Sequence, residues 1–162
     1  MSINNLSTIV NKISKQSEEI SSLQLSSMFG EKVKFFGQSG IQVKSLNFNN
    51  AILHLENNET VQNHIGGIHS AATALLGESA TGFLVGMHVP DDRIPLLKSM
   101  NIKYVHRADG NLKATASLTE TQISDIKNSD RGEASVKVVI TDSSDNNPVD
   151  AEFIWAWKTK KK

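Results

Sequence analysis

From Ser70 to Gly86 the chain reads Ser-Ala-Ala-Thr-Ala-Leu-Leu-Gly-Glu-Ser-Ala-Thr-Gly-Phe-Leu-Val-Gly, and Glu78 is its single charge. So long a run of small and apolar residues predicts a helix that is buried on most of its surface. Something else in the chain must therefore wrap it. A carboxylate in such a helix is costly unless it is hydrogen-bonded or its pKa has moved. Glu78 is then either paired structure or a group with a task. Just before the helix, Asn63-His64-Ile65-Gly66-Gly67-Ile68-His69 has the composition of a loop.

The flanking segments supply the wrapping. Strands are predicted from Ile41 to Phe48 and from Ala51 to Glu56 around the turn Asn49-Asn50, and then from Leu97 to Arg107 after a proline-marked connection, Val89 to Pro95. Leu112, Ala114, Ala116 and Leu118 alternate with polar residues, as do Ala134, Val136, Val138 and Ile140. Such alternation marks strands with one buried and one wet face. Thr121 to Lys127 reads as a short helix or a loop excursion, and a last strand runs from Val149 to Lys158. Antiparallel strands around one apolar helix make an α+β architecture. An unpaired strand at the rim of such a sheet is expected to pair with a second copy.

Ahead of this unit, Ile3 to about Met28 places Leu6, Ile9, Val10, Ile13, Ile20 and Leu23 at helical spacing, with a break expected near Ser21-Ser22 and an end at Phe29-Gly30. Few cations lie on its polar face, so it reads as a helix packed on its own domain or dimer. The expected organisation is residues 1–30 as an amphipathic helical extension, 31–158 as the α+β domain and 159–162 as a basic, solvated tail.

The sequence has 162 residues, with Lys+Arg and Asp+Glu both at 17, so no global field recruits nucleic acid. Without cysteine there is no disulfide, thiolate nucleophile or Cys-bound zinc. No signal peptide or membrane span is expected, and the location expected is the cytoplasm. The sequon Asn58-Glu59-Thr60 is read as chance. Gly77-Glu78-Ser79-Ala80-Thr81 lacks the second glycine of a nucleophile elbow. Gly77 and Gly82 have phosphate-loop spacing without the lysine, and are read instead as letting another backbone approach. His54, His64, His88 and His106 show no ligand spacing, and no metal is expected.

Asn63, Gly66, His69 and Glu78 together carry a resemblance. An Asn, a Gly three residues on, a His six on and an acid nine residues after the His is the pattern of the hotdog-fold acyl-CoA thioesterases of the phenylacetate type and of the closely related DUF4442 hotdog domain family. Ile102-Lys103-Tyr104-Val105-His106-Arg107-Ala108-Asp109-Gly110 is similar to the strand and basic turn of those families, and the likeness spans roughly residues 35 to 158. Two departures are Ser70-Ala71 in place of a common Gly-Gly, and Arg107 in place of a common Pro. The resemblance implies a hotdog fold, in which a curved antiparallel sheet wraps a long central helix, with an extra N-terminal helix here. It also implies an acyl-CoA or other acyl thioester as substrate, coenzyme A entering only as part of that substrate, and a homodimer or dimer of dimers.

Nine helical residues separate His69 from Glu78, about 13.5 Å of rise and about 900° of rotation, so the two cannot meet at one carbonyl within one chain. In a two-fold dimer with antiparallel central helices they can. On that reading the N–H groups of Gly67, Ser70 and Ala71 stabilise an oxyanion, Asn63 and His69 join Glu78 as catalytic candidates by holding the loop and its water or carbonyl in place, and Glu78 of the other subunit activates water or attacks directly, the base being favoured. Lys103, Arg107 and Arg131 are candidates for the coenzyme phosphates, and Phe83, Met87 or Met100 for the acyl gap. Plain roles fit the same residues: a loop-fixing Asn63, a backbone-bonded His69, glycines allowing positive φ and an interface Glu78. A non-catalytic acyl or acyl-CoA binder, and an acyl-thioester dehydratase or hydratase, are the competing readings.

Overall fold

In the computed structural model, which describes residues 4–161, alternation of buried and exposed residues builds six strands. They are β1 (Gln42–Leu46), β2 (Asn50–Leu55), β3 (Arg93–Tyr104), β4 (Leu112–Ser117), β5 (Arg131–Asp142) and β6 (Val149–Thr159). All neighbours pair antiparallel in the order β1-β2-β4-β5-β6-β3, leaving β1 and β3 as the edges. Pro95 lies within β3, which begins four residues before the expected start at Leu97. An edge strand tolerates proline because one of its sides carries no ladder.

The run whose single charge is Glu78 is helix α4 (Ser70–Gly86), lying on one face of this sheet. Leu76, Ala80 and Leu84 have no exposed surface, and Leu53, Ala114, Ala116 and Phe153 close over the same core. The two glycines expected to admit a backbone instead admit aromatic rings. A Cβ at Gly77 would stand 2.7 Å from the Phe153 ring, and one at Gly82 2.5 Å from that of Trp155. The Trp155 indole N–H also donates to the Thr81 hydroxyl at 2.8 Å, so the helix is keyed to β6 at a fixed height.

The N-terminal segment forms α1 (Asn5–Ile13), α2 (Glu18–Lys32) and α3 (Lys34–Ser39). Its break falls at residues 14–17 instead of Ser21-Ser22, because Ser17 caps the acidic first turn Glu18-Glu19 while the Ser21 hydroxyl folds back onto the Ile13 carbonyl at 2.9 Å. Phe29-Gly30 does not end α2. Gly30 lets α3 cross closely, its ideal Cβ position being 3.1 Å from the Gly37 Cα. Ile3, the expected start, lies outside the described residues. The Asn4 amide donates to the carbonyls of Gly86 at 2.7 Å and Val89 at 2.5 Å, so the start of α1 satisfies acceptors at the end of α4. Phe29 stacks on Phe83 with centroids 3.8 Å apart, and Phe36 meets the same ring edge-on at 5.0 Å.

Residues 121–127 resolve as helix, within α5 (Glu120–Asn128), whose capping box joins Thr119 and Gln122. At the C-terminus β6 runs through Thr159, and Lys160 donates its backbone N–H to Asp92 O at 2.9 Å and its ammonium to Asp91 O at 2.7 Å, so the first residues of the expected solvated tail are held. Among the described residues no helix is long and apolar enough to cross a membrane.

Candidate active site

The loop before α4 is wired by its own side chains. Asn63 Oδ1 accepts the N–H groups of Ile65 at 3.0 Å and Gly67 at 3.1 Å, and Gly66 takes the left-handed turn at φ 77° that a side chain would disfavour. His69 is the N-cap of α4, and its Nδ1 accepts the Ala71 N–H at 3.0 Å. That bond requires Nδ1 to be unprotonated, so the ring proton sits on Nε2.

Two of the three expected oxyanion donors are thereby removed. The Gly67 N–H is spent on Asn63 and that of Ala71 on His69, each satisfied by a side chain before any ligand arrives. Ser70 and Ala72 remain, with no hydrogen-bond partner for their N–H groups among the described residues. They carry the positive end of the helix dipole and can receive a developing negative charge.

Tyr104 was not singled out from the sequence, although it closes the aromatic end of the quoted strand. Its hydroxyl donates to the Ser70 carbonyl at 2.7 Å, and partial burial raises its pKa. Edge strand β3 is thus pinned to the helix start. A cleft of about 440 Å³ opens there, lined by Asn63, Gly67, Ser70, Tyr104, His106 and Arg107 among others. Behind it, the Asp142 carboxylate accepts N–H groups from Asp109 at 3.0 Å, Ser144 at 2.9 Å and Asn146 at 3.0 Å, bonds that hold its pKa below the usual range. A second cleft of about 350 Å³ adjoins His69 on another face of α4, toward α3.

Glu78 stands half-buried on that helix. Its one side-chain partner among the described residues is the Ser79 hydroxyl at 3.5 Å, and burial pushes its pKa up, the Ser79 contact opposing in part. Ala71, Ala74, Leu75, Glu78 and Gly82 are the residues of α4 that keep surface along one side, spaced by three, four and seven. Glu78 therefore sits in the middle of a stripe of small and apolar residues that a second helix can approach.

The remaining candidates divide. Arg107 lines the polar cleft, where its guanidinium donates to the Ile65 carbonyl at 3.4 Å, whereas Lys103, paired with Asp150, alternates with Tyr104 onto the face of the sheet away from the helix. Arg131 lies at the other end of the sheet, because it pairs with Lys158 of β6 while Lys103 pairs with Asp150. Eight strand residues between those partners are about 26 Å, so one chain cannot bring all three cations to one set of phosphates. Phe83, stacked on Phe29 of α2, and Met87, with no exposed surface, lie in the core instead of at the expected acyl gap, whereas Met100 stays 47% exposed on β3. His88 is fully buried, which lowers its pKa, and its Nε2–H donates to the Phe48 carbonyl at 2.7 Å, a bond that opposes the shift in part. Among the described residues no group of three or more His, Asp or Glu side chains is placed to hold a metal.

A family model described as a domain of unknown function, DUF4442, matches residues 22–157. No curated protein matches. Among solved structures, a Pseudomonas aeruginosa protein of unknown function described as a probable thioesterase is similar, with a TM-score of 0.74 at 21% identity over 83% of this chain and 93% of that one. A thioesterase of Staphylococcus aureus aligns with a TM-score of 0.64 at 19% identity, covering 78% of this chain and 99% of that one. A thioesterase from Haemophilus influenzae gives 0.63 at 9% identity over 76% and 81%. Likeness at these identities establishes the hotdog fold.

Proposed function

The chain belongs to the DUF4442 family, and from that premise we propose that it hydrolyses an acyl thioester at a site completed by two copies. The observation that carries the reading is the half-buried Glu78, raised in pKa and without a cationic partner among the described residues, in the middle of the surface stripe of α4. An acid in that environment is a candidate general base near neutral pH. The thioesterase descriptions of the similar structures point to the same chemistry.

In the proposed dimer the β3 edges pair and the α4 stripes run antiparallel, so the partner's Glu78 stands near the start of this α4. The thioester oxygen takes the Ser70 and Ala72 N–H groups. Glu78 removes a proton from water as the oxygen of that water bonds to the acyl carbon, and negative charge moves onto the carbonyl oxygen. The tetrahedral intermediate then reforms its carbonyl and expels the thiolate, which recovers the proton from Glu78. Asn63 and His69 position the loop without touching the reacting atoms. The coenzyme arm lies in the polar cleft beside Arg107.

A panel of acyl-CoAs of graded length, assayed for free thiol with wild type and Glu78→Gln, tests the reading. The wild type is expected to release thiol, and the variant to lose about 10²- to 10⁴-fold in kcat while still binding. Thermal stabilisation by acyl-CoA with no thiol release from the wild type would assign the protein to the acyl binders instead.

A further inference from the structure

The proposed substrate has two unlike arms, an apolar acyl group and a polar, phosphorylated thiol, and the helix start has two unlike clefts. One, holding Asn63, Tyr104, His106 and Arg107, suits the polar arm. The other lies between α3 and the first turns of α4, and Phe35, Val61, His69, Ala71, Ala72 and Leu75 line it among others. Apart from His69 it has no ionisable side chain. Its neutral polar lining is Gln38, Ser39, Thr60 and Gln62, of which the buried Ser39 hydroxyl is committed to Phe36 O at 2.7 Å and the Ile41 N–H at 3.2 Å, and the Gln62 amide to Asn57 Oδ1 at 3.1 Å.

We propose that this second cleft is the acyl subsite, with Leu75 as its wall and Phe35 as its rim, so that the N-terminal helices of the chain select the acyl group. The proposal rests on the thioesterase reading and names where its specificity resides.

Three observations converge on it. First, position: Ala71 and Glu78 are seven residues apart, about 20° from the same direction on the helix, so the cleft opens on the face that carries the proposed base. With α4 stripes antiparallel, the partner's Glu78 comes to the cleft mouth. Second, size: about 350 Å³ lies at the lower end of small-ligand pockets, which suits an acyl group and not the whole coenzyme. Third, exposure within one segment: Phe29 and Phe36 are 4% and 1% exposed in the core, whereas Phe35 is 65% exposed at the cleft. The core does not use Phe35, and an acyl chain laid against it would cover it.

The test compares Phe35→Ala and Leu75→Phe with wild type on acyl-CoAs from acetyl to long chain, by kcat/KM, by binding and by oligomeric state. The readout is the ratio of each longer chain to acetyl-CoA within each protein, measured where the dimer persists, so that a general change in activity cancels. For longer chains Leu75→Phe is expected to lose about fourfold per methylene excluded, and Phe35→Ala to flatten the dependence on length with the oligomer unchanged. A parallel loss at every length overturns the proposal. So does loss of the dimer in Phe35→Ala with an unaltered length profile, which would give the cleft to the subunit contact. If the wild type binds acyl-CoAs but releases no thiol, hydrolysis fails while the subsite is still decided by the binding series: length-dependent affinity that the variants remove supports it, and affinity independent of length overturns it.

Discussion

The two edges of the sheet are handled in opposite ways. Strand β1 is five residues long, bulged between Val43 and Ser45, and covered by α2, whose Ser26 hydroxyl accepts the Val43 N–H at 2.8 Å. Strand β3 is twelve residues long, with Leu96 at 43%, Met100 at 47% and Tyr104 at 49% exposure. Of the strand's charges, which would ordinarily discourage edge pairing, Arg93 and Lys98 are engaged by Asp130 and Glu133, and Lys103 stands next to its end. Met100 and Tyr104 pair with Phe153 and Val149, and Phe153 packs on Gly77, so these exposed side chains lie on the helix side of the sheet, beside the stripe bearing Glu78. The contrast teaches where a second copy belongs: one rim is finished within the chain, and the other is left beside the proposed chemistry.

The largest effect that would break or sharpen this contrast comes from charging the open rim. Leu96→Lys combined with Met100→Lys is expected to give monomers by light scattering and to lower turnover about 10²- to 10⁴-fold, because each site then lacks its base. A fully active monomer would break the comparison. At the closed rim, Ser26→Ala orphans the Val43 N–H and is expected to cost about 1–3 kcal/mol in denaturant unfolding, with oligomer and turnover intact. The smallest effect concerns Glu78 itself. Its raised pKa means that the fold holds more protons than the unfolded chain between the ordinary glutamate range and the raised value, so stability falls as pH rises through that window. Glu78→Gln should remove that slope, which pH-dependent unfolding of the two proteins measures.

Much of this was legible in the letters. The alternation at Leu112, Ala114 and Ala116 marks a strand whatever its neighbours, and the run of small and apolar residues around Glu78 marks α4, because burial periodicity is local. The spacing of Asn63, Gly66, His69 and Glu78 carried the family. What stayed hidden depended on where side chains turn. A serine at 17 and serines at 21 and 22 look alike in sequence, yet Ser17 caps α2 while Ser21, inside α2, donates to the last carbonyl of α1. The loss of Gly67 and Ala71 as donors follows from side chains of Asn63 and His69 that reach their own backbone. Arg131 was grouped with Lys103 because sequence does not give the register of β6 between them.

Subunit complementation tests the central claim most directly, and Ser70→Pro makes it possible. Proline removes the Ser70 N–H together with a hydroxyl that makes no hydrogen bond among the described residues, suits the first helical position, and follows a His69 already extended at φ −61° and ψ 142°. The Ser70 carbonyl that receives Tyr104 is kept. Alone, Ser70→Pro and Glu78→Gln are each expected to be nearly inactive. Mixed in equal amounts and allowed to exchange subunits, they should form hybrids with one complete site, restoring about a quarter of wild-type turnover. No recovery despite demonstrated hybrid formation would contradict a site shared between two chains.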